Sequence, residues 1–101
     1  MSRFFLGPGA TADFDDIWEY IAADNADAAD LWMERLVSAF RLLAENPRLG
    51  HARADLTTKP CLFWPVDNYL IIYRVRPNEV EIVAVTHGGR DIPRLLSGRI
   101  T

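Results

Sequence analysis

Tyr69-Leu70-Ile71-Ile72-Tyr73-Arg74-Val75-Arg76, then Pro77-Asn78, then Glu79-Val80-Glu81-Ile82-Val83-Ala84-Val85-Thr86 is the stretch that decides the fold. Two runs rich in β-branched and aromatic residues flank a turn signal, the pattern of a β-hairpin. In the second run Val80, Ile82 and Ala84 alternate with Glu81, Val83 and Val85. In the first, Ile71, Tyr73 and Val75 alternate with Leu70, Ile72 and Arg74, so this strand is apolar on both sides and both of its faces are at least partly covered. Asp67-Asn68 separates it from one more extended run, Cys61–Val66. A three-stranded antiparallel meander follows.

Upstream of residue 60 the period changes from 2 to 3.6. Phe14, Ile17, Trp18 and Ile21 mark the buried face of a first helix, with Thr11 as its cap. Asp13, Asp15 and Asp16 suit its positive end. Ala22-Ala23-Asp24-Asn25 ends it. Asp27 is the expected cap of a second helix, whose stripe is Ala29, Trp32, Leu36, Phe40 and Leu43, widened by Met33 and Val37. Asn46-Pro47 stops this helix because proline has no amide to donate. A short join implies an antiparallel helical hairpin. Ahead of both, Arg3–Leu6 reads as a strand and Gly7-Pro8-Gly9 as a turn. Pro47–Pro60 reads as an irregular segment pinned by Leu49 and Leu56. The expected fold is α+β: one domain spanning 1–101, in the order βααβββ, with an antiparallel sheet packed on a helical hairpin.

The chain has 101 residues, half of them apolar, enough for one modest core. Its net charge of −3 gives no reason to expect direct nucleic-acid binding. Charge is unevenly placed: residues 1–34 carry one basic residue against eight acidic ones, whereas residues 56–101 carry six basic and four acidic. Cys61 is the only cysteine, which rules out an internal disulfide and fits a reducing cytoplasm. With two histidines and no CxxC spacing, no metal site or cofactor is expected. Gly88-Gly89 lacks a phosphate-loop pattern. Met1–Leu6 stops at Gly7-Pro8-Gly9, too short for a signal peptide or membrane span.

Taken in order, several pieces resemble the ParE branch of the RelE/ParE toxin superfamily of toxin–antitoxin systems. They are Ala12-Asp13-Phe14-Asp15-Asp16-Ile17 with Tyr20-Ile21-Ala22, Ala28-Ala29, Leu43-Ala44-Glu45-Asn46-Pro47-Arg48-Leu49-Gly50, and Arg53-Ala54-Asp55-Leu56. The series ends with Tyr69–Val75 and Ile82-Val83-Ala84-Val85-Thr86-His87-Gly88-Gly89-Arg90-Asp91-Ile92. The resemblance implies a compact βααβββ toxin held inactive by a cognate ParD-like antitoxin in a hetero-oligomer. It implies DNA gyrase as target and roles of the plasmid-stabilisation or stress-response kind. RelE-like relatives instead cleave messenger RNA, and a weakly toxic or non-toxic complex-forming homologue is a third alternative.

An RNA-cleaving site needs a base for the 2′-OH, cations on the phosphate and an acid for the leaving oxygen. Arg74 and His87 fall near the places such groups take in RelE-like enzymes. Arg53 and Lys59 are isolated and no tyrosine follows His87, so no catalytic residues are assigned. Arg74 needs a partner in its apolar strand, with Glu79 and Glu81 as candidates. Asp91 is the expected cap of a final helical turn, and Arg90 is expected to pair with Glu19 or Asp16. In ParE-like proteins the C-terminal part is implicated in toxicity. This maps target contact onto Arg90, Arg94 and Arg99, on a tail expected to add little to the core. Trp18, Trp32, Met33, Val37 and Trp64 are the candidates for antitoxin contact.

Overall fold

The computed structural model describes residues 3–100, so Met1 and Ser2 of the leading stretch, and Thr101, lie outside the described residues. The elements are β1 (Phe4–Leu6), α1 (Pro8–Ala22), α2 (Ala26–Glu45), β2 (Leu62–Val66), β3 (Tyr69–Val75), β4 (Val80–His87) and α3 (Ile92–Ser97). The sheet order is β1-β4-β3-β2. The meander β2-β3-β4 is antiparallel as expected, but β1 joins the far side of β4 in parallel, making the sheet mixed. The helical hairpin, β2 and β3 lie between β1 and β4 in sequence, a separation that permits a parallel pairing.

The expected turn at Gly7-Pro8-Gly9 is instead a helix start. Gly7 is the N-cap, and Pro8 occupies the first turn, where its missing N–H costs nothing. Thr11 lies inside this helix, its hydroxyl donating back to the Gly7 carbonyl. Asn25, not Asp27, caps α2: its side-chain oxygen accepts from the Ala28 N–H at 2.9 Å, and Asp27 sits within the first turn. The two displacements differ in cause: α1 starts without a side-chain cap, set by Pro8 in its first turn, whereas at α2 two neighbouring side chains could cap and the backbone course selects Asn25. Asp91 caps α3 as expected, accepting from the Arg94 N–H at 3.2 Å.

Both faces of the sheet are covered. On one, Ile17, Leu36, Phe40, Leu43, Tyr69, Ile71, Tyr73, Ile82 and Val85 form the main core with α1 and α2. On the other, Cys61, Phe63, Leu70, Ile72, Val83 and Ala84 are sealed by Ile92, Leu96 and Ile100. Leu96 and Ile100 are almost wholly buried. The tail therefore contributes a core layer, contrary to the expectation that it adds little. A bulge makes this layer possible: Ile72 pairs with Ala84 but Tyr73 with Ile82, so Val83 is the extra residue and joins Ala84 on the α3 side.

The irregular segment is pinned partly by Leu49 and Leu56, packed on the two cores. It is pinned further by Tyr73, whose buried hydroxyl donates to the Pro47 carbonyl and accepts from the Gly50 N–H, each at 2.8 Å. A Cβ on Gly50 would lie 2.6 Å from that oxygen and 2.9 Å from the Phe63 carbonyl, so this approach requires glycine.

Candidate functional site

Arg74 and His87 lie toward opposite ends of the β3–β4 ladder. Arg74 is opposite Glu81, and His87 is opposite Tyr69, five residues along β3 from Arg74. At about 3.3 Å per residue that is roughly 16 Å, too far for two groups to act on one phosphate. Arg74 is also occupied: its Nε and Nη2 donate to Glu81 Oε1 at 3.1 and 2.8 Å, and Arg76 approaches the same oxygen at 3.5 Å. Of the two partners expected, it takes Glu81. Glu81 is itself buried, so the pair satisfies a charge that the sheet could not hold alone. The exposed His87 ring rests on Tyr69 with centroids 4.8 Å apart. Burial raises the Cys61 thiol pKa, so its nucleophilic thiolate is scarce at neutral pH. No cluster of metal-ligating side chains occurs among the described residues.

The three tail arginines divide. Arg90 and Arg94 are exposed and line, with Asp91 and Leu95, a shallow concavity of about 490 Å³ beside α3. Arg90 makes no ion pair among the described residues, with Glu19, Asp16 or any other carboxylate. Arg99 turns inward. Its Nη1 and Nη2 donate to Asp13 Oδ2 and Oδ1 at 2.5 and 3.0 Å, and Nη1 also reaches the Val83 carbonyl at 3.1 Å. Asp13 Oδ2 accepts the Val85 N–H as well, at 3.0 Å. The pair thus caps the backbone groups of β4 that β1 leaves bare, since the β1 pairing ends at Leu6 opposite Ile82. Sequence reading missed this link because Asp13 looks like one more helix-start carboxylate and lies 86 residues from its partner.

The aromatic and apolar candidates spread over two grooves that flank the Glu34–Ser38 ridge of α2. Met33 and Val37, with Phe14 and Arg41, line one of about 640 Å³. Trp64 lines the other, about 700 Å³, with Leu31, Arg35 and Pro65. Trp32 sits between helix and sheet, edge-on to Tyr69 at 5.2 Å and covered by the Arg35 guanidinium at 4.5 Å. Trp18 stands apart, its indole N–H donating to Asp30 at 3.0 Å. Leu31 and Tyr20, 62% and 75% exposed, are more open than any of these five. Both fall off or at the edge of the buried stripes, the one sequence signal that marks them.

The family model of the ParE toxin of type II toxin–antitoxin system, parDE, matches residues 5–92. The chain belongs to the ParE toxin family. It is 29% identical over 97 residues to toxin ParE1 of Mycobacterium tuberculosis, covering 94% of this chain and 98% of that one. It is 33% identical over 82 residues to Y4kP of Sinorhizobium fredii, covering 81% and 83%. Its fold matches a chain of the chromosomal ParDE system from P. aeruginosa at a TM-score of 0.72 and 18% identity, covering 86% of this chain and 96% of that one. Against this ParE background the match takes in β1 through the start of α3 and stops before Arg94 and Arg99.

Proposed function

We propose that this ParE-family chain is a toxin that acts by protein–protein contact on DNA gyrase and is held inactive by a cognate ParD-like antitoxin. The observation that carries the contact reading is the separation of Arg74 from His87, together with the ion pairing of Arg74 to Glu81. An RNA-cleaving centre needs convergent, available cations. The two candidates also lie on opposite faces of the ladder: Arg74 shares the face on which Leu70, Ile72 and Ala84 pack under α3, whereas His87 lies on the Tyr69 and Val85 side. Gyrase as target rests on the likeness to ParE toxins, and docking is assigned to exposed Arg90 and Arg94. Arg99 supports that surface from behind by anchoring the tail. Antitoxin contact is assigned to the two grooves beside α2, where an amphipathic helix finds apolar walls and a charged rim.

The test is expression of the chain alone, with plasmid supercoiling and messenger-RNA integrity followed in the same cells. Loss of supercoiling with intact RNA supports the proposal. Codon-specific cuts that vanish in Arg74→Ala or His87→Ala overturn it. Co-expression of the antitoxin encoded beside the gene should restore growth and co-purify with the chain.

A further inference from the structure

A cleft of about 360 Å³ lies where α1 passes β4, lined by Asp16 and Tyr20 of the helix, by Val85, Thr86 and His87 of the strand, by Tyr69 of β3 and by Arg90. Side chains alternate along a strand: Val85 packs with the helices, so Thr86 belongs to the opposite side. A cleft that touches both follows the edge of β4. The Val85 N–H points away from β3, because it donates to Asp13. In an antiparallel ladder the Val85 carbonyl and the His87 N–H, two residues on, therefore point the same way. Neither has a protein partner among the described hydrogen bonds. The Thr86 hydroxyl is buried and also unpartnered. Asp16, which lines the cleft beside this open donor–acceptor pair, is exposed and makes no ion pair among the described residues, and neither does Arg90.

We propose that an extended, basic segment of the antitoxin adds here as a short strand in line with β1. Its backbone pairs with Val85 O and His87 N, and a lysine or arginine meets Asp16 between the Tyr20 and Tyr69 rings. The backbone pair supplies affinity, the carboxylate selects a cationic side chain, and the aromatic walls favour it further. This rests on the antitoxin reading above but names a site distinct from the α2 grooves.

The probe is the complex with the product of the adjacent antitoxin gene, followed by amide hydrogen exchange and by affinity. The His87 amide should exchange freely in the chain alone and be protected in the complex. His87→Pro removes this N–H without touching a bond of the fold, and should weaken binding about tenfold, the worth of one hydrogen bond. His87→Ala, which keeps the N–H, should change it by less than about threefold. Asp16→Lys should weaken binding further and reduce its salt dependence. If the antitoxin binds but the His87 amide stays unprotected and His87→Pro matches His87→Ala, the edge site is wrong and the antitoxin reading stands. If the antitoxin does not bind, both fall.

Discussion

Asp13 and Arg99 are the residue pair on which the architecture turns. Both side chains are mostly buried, at 11% and 20% exposure, and each also serves the β4 backbone. Removing one partner strands the other, so Arg99→Ala should cost about 3 kcal/mol in urea unfolding. Gly9 gives a sharper check. A Cβ there would lie 2.6–2.9 Å from the Arg99 side chain, so Gly9→Ala should destabilise the wild type. In an Arg99→Ala background the clash is gone, and the same change should stabilise by up to about 1 kcal/mol through helix propensity. Tyr73→Phe leaves the Gly50 N–H and Pro47 carbonyl unsatisfied and should cost about 1–3 kcal/mol. Burial holds the Tyr73 phenol above its ordinary pKa. Its contribution is therefore complete below about pH 10 and is lost as pH rises through the elevated folded value, which a pH series of urea midpoints measures.

At the scale of elements, α3 is a structural lid on the second face of the sheet. A chain ending at residue 92 should lose cooperative unfolding or fall markedly in melting temperature, because Leu96, Ile100 and the Arg99 anchor go together. A truncation that kept a native melting curve would contradict this. Any toxicity lost by such a truncation reports folding, so the docking surface is better probed by Arg90→Glu with Arg94→Glu. The strands, the helical hairpin and the end of α2 at Asn46-Pro47 were legible because each rests on local periodicity or a proline. The parallel placement of β1, the bulge at Val83 and the burial of Ile100 were not, because each depends on partners distant in sequence. Of the candidate site, the separation of Arg74 and His87 follows from strand register, which composition does not reveal.

The molecule as a whole has an acidic helical side, with eight acidic residues and one basic in 1–34, and exposed arginines at the α3 end. That polarity suits the two contacts proposed above, a basic antitoxin segment along α1 and an anionic surface of the target at the exposed arginines beside α3. The two sites should be mutationally distinct at Arg94. Reversing Arg94, which lies outside the cleft assigned to the antitoxin, should reduce growth arrest while leaving antitoxin affinity within about threefold, whereas Arg90 lines both concavities and its reversal reaches both contacts. The central claim is inhibition of gyrase by contact without RNA cleavage. Its most direct test is a supercoiling assay with purified gyrase, relaxed plasmid and the purified chain, wild type beside the Arg90→Glu/Arg94→Glu double variant and His87→Ala. Inhibition by the wild type and by His87→Ala, with loss in the double variant, is the predicted result; undiminished supercoiling at saturating wild-type protein would contradict it.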